Sequence, residues 1–324
     1  MRRRSCFLLL AALLAGAAEA QAGYPERPIT LVTPFAAGGD ADQFAQALAR
    51  SIGRMAMPQK LNVDNQPGKS GTLASMAVRQ IAPDGYTLLL GRVGSHAIQP
   101  AVDPSTPYTA RDFTILAVLE LDPLVCAVNA DSPFHSARDL LSTIRKQPGE
   151  LRYSTSGSGT ILSFAAQYLL SISGIPINAA SALHFDGGRE AVAAVAEGKA
   201  HFTCAIASSV GPLIRNGKLR GLFTTATGRM ESFPQIPNAR EAGYRGMSSI
   251  VGWSALMGPP GLPDTVVQYW KQALLKVAAD HQWLADNARL GGQPAIRLIA
   301  RPDQYIQDQA ALYQRMVLSM RMKP

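Results

Sequence analysis

The chain has 324 residues, 31 Lys and Arg against 23 Asp and Glu, a formal charge of +8, and 47% hydrophobic residues. That length exceeds what one core normally holds, so two lobes are expected. The basic residues are dispersed and the aromatics few (7%) and unclustered, which excludes the basic stripe with stacking aromatics of a nucleic-acid binder; a mild positive field suits a small anion instead.

In chain order, Arg2, Arg3 and Arg4 precede an apolar run from Phe7 to Leu14 and then small residues at Ala18-Glu19-Ala20 and Ala20-Gln21-Ala22. A basic head, a short apolar stretch and an A-x-A site predict a secretory signal peptide over residues 1–22. The run is shorter than the ~20 residues that span a bilayer, so a soluble exported protein is expected. Cys6 lies inside the apolar stretch and is not a lipid-bearing first residue. Cleavage leaves 28 basic and 22 acidic residues, a charge of +6.

Ile29–Thr33 then reads as a strand, Gln43–Met55 as an amphipathic helix with Phe44, Leu48 and Ile52 on one face, Leu61–Val63 as a strand, Leu73–Ile81 as a helix and Tyr86–Leu90 as a strand. The β-α-β-α-β order predicts a parallel sheet with right-handed crossovers. The plan repeats. Strands are expected at Leu124–Val128, Leu151–Ser154, Ala182–Phe185 and His201–Ile206, with helices at Ala137–Lys146, Ile161–Ser171 and Glu190–Glu197. Then come strands at Leu219–Thr225 and Trp253–Met257, a helix at Asp264–Ala285 capped by Asp264, a strand-like Ala295–Ala300 and a last helix at Pro302–Met320. The fold class is therefore α/β in two mostly parallel lobes: residues 23–124 with 224–324 as lobe 1, and 125–223 as lobe 2. Two crossovers between lobes suit a hinge.

Glycines and small hydroxyl residues recur where strands give way to helices. They fall at Pro34-Phe35-Ala36-Ala37-Gly38-Gly39, Gly94-Ser95-His96, Ser154-Thr155-Ser156-Gly157-Ser158-Gly159-Thr160, Phe185-Asp186-Gly187-Gly188 and Ala205-Ile206-Ala207-Ser208-Ser209. In an open α/β sheet such loops line the crevice beyond the carboxyl ends of the strands, where free amides and helix dipoles meet an anion. The candidate ligand-binding residues are Phe35 to Gly39, Ser95, Thr155 to Thr160, Asp186 and Ser208. A β-carbon at Gly38 or Gly39 is expected to block close approach.

Catalytic motifs are weak. G-x-S-x-G is absent, although Ser156 or Ser158 could serve a secreted serine hydrolase. Gly68-Lys-Ser70 lacks the first glycine of a phosphate loop and reads as a surface turn. His96, His135, His184, His201 and His281 show no metal-ligand spacing, paired carboxylates are not evident, and no metal or cofactor is expected. Cys126 and Cys204 sit in strand-like apolar runs as small hydrophobes, with a disulfide left open by an oxidising compartment.

Taken together, the chain resembles the tripartite tricarboxylate transporter receptor family, the Bug-type extracytoplasmic solute-binding proteins. The resemblance is carried by Tyr24-Pro-Glu-Arg-Pro-Ile29, Pro34-Phe-Ala-Ala-Gly-Gly-Asp-Ala-Asp42, Asn65-Gln-Pro-Gly68, Ala82-Pro-Asp-Gly-Tyr-Thr-Leu88, Ser95-His-Ala-Ile-Gln-Pro100, Phe185-Asp-Gly-Gly188, Pro234-Gln-Ile-Pro237, Glu241-Ala-Gly-Tyr244 and Trp253 before Gly258-Pro-Pro-Gly261. It implies a type II-like periplasmic binding protein, a monomer without catalytic activity. Its two lobes would close on a small carboxylate (a di- or tricarboxylate or an aromatic acid) and deliver it to membrane permease subunits. It also implies that amides, waters and hydroxyls hold the carboxylate rather than an arginine clamp. Ser163-Phe164 stands where members often carry His. A sensory module presenting its ligand to a membrane kinase shares the same pocket.

Overall fold

The computed structural model describes residues 23–290, 292–296 and 299–320; the predicted signal peptide lies outside them. The first series forms as β1 (Ile29–Thr33), α1 (Asp40–Met55), β2 (Leu61–Asn65), α2 (Thr72–Arg79) and β3 (Thr87–Arg92). Helix α1 begins three residues earlier than the periodicity suggests. Extended Gly39 precedes it, and Asp40 and Asp42 favour the positive end of the helix from its first turn. Phe44, Leu48 and Ile52 bury against Ile29 and Leu31 of β1, each worth about 1.5–3 kcal/mol over exposure.

After β3 the chain does not loop. Gly94–Ile98 makes a π-helical turn that runs into Gln99–Val102. The Ser95 hydroxyl accepts from the Arg92 amide at 3.4 Å, while the Tyr108 hydroxyl donates to the Ser95 carbonyl at 2.9 Å. The next strand, β4 (Thr114–Asn129), is 16 residues long, far longer than the apolar run at its end. The remaining elements are α3 (Ala137–Lys146), β5 (Arg152–Thr155), α4 (Ile161–Ile172), β6 (Ser181–His184), α5 (Gly188–Ala196), β7 (Phe202–Ile206), α6 (Ala207–Arg215), β8 (Leu219–Thr224) and β9 (Val251–Gly258). They are followed by α7 (Asp264–Val277), α8 (His281–Leu290), β10 (Gln293–Pro294) and α9 (Pro302–Ser319).

The strand order is β2-β1-β3-β9-β4-β7-β5-β6, with β8 and β10 also on β4. The expected parallel pairing holds within β1–β3 and within β5–β7, whereas β9 runs antiparallel to β3 and β4, and β4 antiparallel to β7 and β8. Both lobes therefore share β4. It pairs β9 as far as Pro123 and β7 from Leu124 onward. Proline lacks a ladder donor, and it sits where the ladder changes partners. Residues 225–250 fold back on β8, with the Thr224 amide donating to the Pro237 carbonyl at 2.9 Å and the Ala239 amide to the Thr224 carbonyl at 2.7 Å.

Three further expectations change. The helix expected from Asp264 to Ala285 divides, because the Asp280 carboxylate accepts from Ser51 at 2.6 Å, from Arg54, and from the Gln282 amide at 3.0 Å. Pro263 takes the cap position, and the Asp264 side chain does not cap α7. Only Gln293–Pro294 pairs as a strand near the expected Ala295–Ala300, of which residues 297 and 298 are outside the description. Cys126 and Cys204 stand directly opposite each other across β4 and β7 and are joined as a disulfide.

Candidate functional site

Between the lobes lies a cavity of about 340 Å³. Asp40, Phe44, Arg92 and Glu120 line one wall, and Arg189, Ile206, Ser208 and Leu213 face them from the other. A recess of about 30 Å³ shares Asp40, Arg92 and Ile206 and continues to Phe35, Ser156 and Thr160. A wider mouth of about 550 Å³ is bordered by Ala36, Lys69, Ser70, Ser158 and Asp186.

The lobes touch across this mouth. The Gly159 amide of lobe 2 donates to the Ser70 hydroxyl at 3.3 Å. A β-carbon on Gly159 would overlap the Gln99 side-chain amide, which would have to swing away to admit it. Ser70 and Lys69 hold left-handed backbone (φ 53° and 47°) inside a short turn. The stretch that reads as a surface turn therefore braces the mouth of the cleft.

Three lobe 2 helices point their amino ends at the cavities, and none of them has a side-chain cap. The cap position of α4 is Thr160, whose hydroxyl donates to the Gly157 carbonyl at 2.8 Å instead; those of α5 and α6 are Gly187 and Ile206. First-turn amides left without side-chain acceptors, with the helix dipole behind them, attract anions. The lobe 1 wall has the opposite character, because α1 opens with Asp40 and Asp42.

Arg92 is buried between Asp40 and Glu120. It donates to Asp40 at 2.8 Å, to Ser254 at 2.7 Å and to Glu120 at 3.4 Å, and Ser254 donates to Glu120 at 2.6 Å. Burial pushes the Glu120 carboxyl up to about 7 against the opposing pull of Arg92. Asp122, two residues on, is also raised well above its ordinary value, by burial first and by Glu120 second. Ser208 donates to one Asp122 oxygen at 2.8 Å; the other is buried and accepts from no described residue. A carboxylate pair therefore exists, contrary to the sequence reading. It was hidden in the unrecognised first half of β4.

The predicted residues divide. Phe35, Ser156 and Thr160 line the recess, while Ala36, Gly157, Ser158 and Asp186 border the mouth and Ser208 the main cavity. Ser95 and Thr155 are fully buried, with their hydroxyls engaged internally: Ser95 with Arg92 and His96, Thr155 with Gly157 and Thr160. In the first loop, the Gly38 amide already donates to Asp42 at 2.7 Å and the Gly39 amide to the Ala36 carbonyl at 3.3 Å; Ala37, Gly38 and Gly39 line none of these cavities. A β-carbon on Gly39 would meet the Ala36 carbonyl at 3.2 Å, and one on Gly38 would meet no protein atom within 4 Å. Ser208 and Ser209 lie in the first turn of α6 rather than in a loop. Ser156 and Ser158 hydrogen-bond to no described histidine or carboxylate, and burial lowers His96 to about 3. The described residues contain no metal-ligand cluster.

A sequence model of the tripartite tricarboxylate transporter family receptor matches residues 43–320. The chain belongs to this family. Members are solute-binding receptors. The protein BugT of Bordetella pertussis is 28% identical over 87% of this chain and 84% of its own. MatC of Rhodopseudomonas palustris, solved with bound malate, superposes with a TM-score of 0.85 at 26% identity over 91% of this chain and 100% of its own. An R. palustris protein with adipate gives 0.84 at 26% identity, over 92% and 98%. Family membership and these neighbours identify the two-lobed periplasmic binding protein fold. Among the described residues no helix is long and apolar enough to cross a membrane.

Proposed function

We propose that this protein is a periplasmic receptor whose lobes close around a small carboxylate and deliver it to the permease subunits of a tripartite tricarboxylate-type transporter. The observation that carries this reading is the convergence of α4, α5 and α6, uncapped by side chains, on one inter-lobe cavity. Such a constellation holds an anion through main chain and dipole, in keeping with neighbours solved with malate and adipate. Closure pivots where β4 changes partners at Pro123–Leu124 and where the chain re-enters β9 at Val251. On that basis lobe 1 is residues 23–122 with 251–320, and lobe 2 runs on through residue 250. The receptor acts as a monomer and performs no chemistry on its ligand.

A thermal-shift screen over di-, tri- and aromatic carboxylic acids tests this reading. A ligand at about 100 times its Kd adds ~2.7 kcal/mol of stability, a rise of several degrees. No shift with any carboxylic acid, or turnover of an ester or amide panel, overturns it.

A further inference from the structure

Glu120 and Asp122 stand two residues apart in the regular part of β4, opposite Ser254 and Gly252 of β9, so both side chains leave the strand on one face. Both are buried. Asp40 and Arg92 balance each other at 2.8 Å, and ionising either strand acid therefore adds an unmatched negative charge to a buried wall. The hydrogen bonds point the same way. Glu120 takes Ser254 and Arg92 on one oxygen, Oε1. Its Oε2 lies 3.2 Å from where a β-carbon on Gly292 would sit, and the Asn287 Oδ1 lies 3.6 Å from that same point. The Asn287 Oδ1 is buried and accepts from no described residue. A proton on Oε2 brings a donor to a corner that otherwise holds only acceptors. Of the two strand acids, Glu120 alone lines the main cavity, and burial holds it up to about 7.

An anion entering that cavity makes ionised Glu120 costlier still, since like charges oppose each other and closure removes the water between them. Resting on the receptor reading above, we propose that Glu120 is a proton site coupled to the cleft: capture of an anion fixes a proton on its carboxyl group, and loss of that proton loosens the anion. The coupling depends on the charge of the ligand and not on its identity. The other charged groups around Glu120 are Asp40 from α1, Arg92 from β3, Asp122 on its own strand, and Arg189 from α5 across the cavity. From β9 and α8 come the uncharged Ser254 and Asn287. Asp122 lines none of the cavities described above. The sign follows from linkage. Below neutral pH the proton is already present and affinity is level; above it, binding must restore the proton, so affinity falls as pH rises.

Calorimetry with malate, adipate and the acids that the thermal-shift screen selects tests this directly. Their carboxyl groups are ionised throughout the range from about pH 6.5 to about pH 9, so the ligand itself does not titrate there. Affinity is expected to fall by about tenfold across that range, the effect of a one-unit rise of the Glu120 value on binding. Repeating each titration in HEPES and in Tris, whose heats of ionisation differ, counts the protons; uptake of part of one proton per ligand is expected on the alkaline side of neutrality. Glu120→Gln carries a permanent donor where the acid carries its proton, and should flatten the profile and abolish the uptake, whatever its absolute affinity. A flat wild-type profile with no proton exchanged overturns the inference and leaves the receptor reading standing, as does a slope that survives in Glu120→Gln. If no acid binds at any pH, the receptor reading fails and the inference with it. Should the variant not fold, the wild-type proton count alone decides.

Discussion

Glu120 offers the sharpest test of the cleft as a physical object. The unfolded carboxyl ionises near its ordinary value of 4.5, whereas burial holds the folded one to about 7. Between these values the folded protein keeps a proton that the unfolded chain has lost, so stability falls as pH rises through this window. Stability is fully present below the lower value and levels off above the upper one. At about 1.4 kcal/mol per tenfold change in acidity, the loss is about 3 kcal/mol. Asp122 is raised partly by Glu120 and adds to the slope. Glu120→Gln keeps an acceptor for Ser254 and Arg92 but cannot ionise. Urea denaturation from about pH 4.5 to about pH 8 should find the variant similar to wild type at the acid end and more stable by about 3 kcal/mol at the basic end. A residual slope from Asp122 should persist. Wild-type stability that is flat or rising across this window, or a variant that tracks wild type throughout, refutes the argument.

Other consequences follow from the same geometry. Gly159→Ala should displace Gln99, hold the lobes apart and weaken ligand binding at least tenfold; adding Gln99→Ala should restore affinity, and calorimetry of the single and double variants shows whether it does. Reducing the Cys126–Cys204 bond, which joins residues 78 apart, should lower stability by up to about 4 kcal/mol on the loop-entropy view, and identical urea midpoints with and without reductant would refute it. Arg92→Met strips Asp40 and Glu120 of their common partner and should cost about 3–5 kcal/mol near neutral pH, read from the same urea curves, with part recovered in acid as the carboxyls protonate.

The fold was largely legible because its elements obey simple periods. Phe44, Leu48 and Ile52 announce α1, and apolar runs mark β1, β3, β7 and β8. Misreadings fall where function or a change of partner interrupts the pattern. Glu120, Asp122 and Pro123 hide the first half of β4, although Leu119 and Leu121 alternate with them. Ser208, Ser209, Gly211 and Pro212 disguise α6 as a loop, since small residues, glycine and proline are poor helix formers. Of the site, the lobe 2 glycine loop was visible from Ser154 to Thr160, while Asp40, Arg92, Glu120 and Arg189 were not. The available signal was a charged residue continuing an apolar strand: Arg92 follows Leu88 to Leu90, and Glu120 and Asp122 interleave with leucines. Charges in such places are costly unless paired, so each predicts a partner that only the tertiary fold can name.

That cost also bears on why the cleft is built asymmetrically. Arg92 comes from β3, Asp40 from α1, Glu120 from β4 and Ser254 from β9, so one buried network ties four elements of the lobe 1 wall. An arginine so committed cannot also grip a ligand carboxylate without abandoning its acids, so the proposed reading gives the carboxylate to main-chain amides on the other lobe. Those amides gain strength only when the lobes close and exclude water. On the proposed function, the lobe 1 wall then sets which second group is tolerated, and the lobe 2 wall supplies the attraction common to every carboxylate. Substitutions at Asp40 and Glu120 should therefore change the ranking of ligands, whereas substitutions at Gly157 to Thr160 should weaken all of them together.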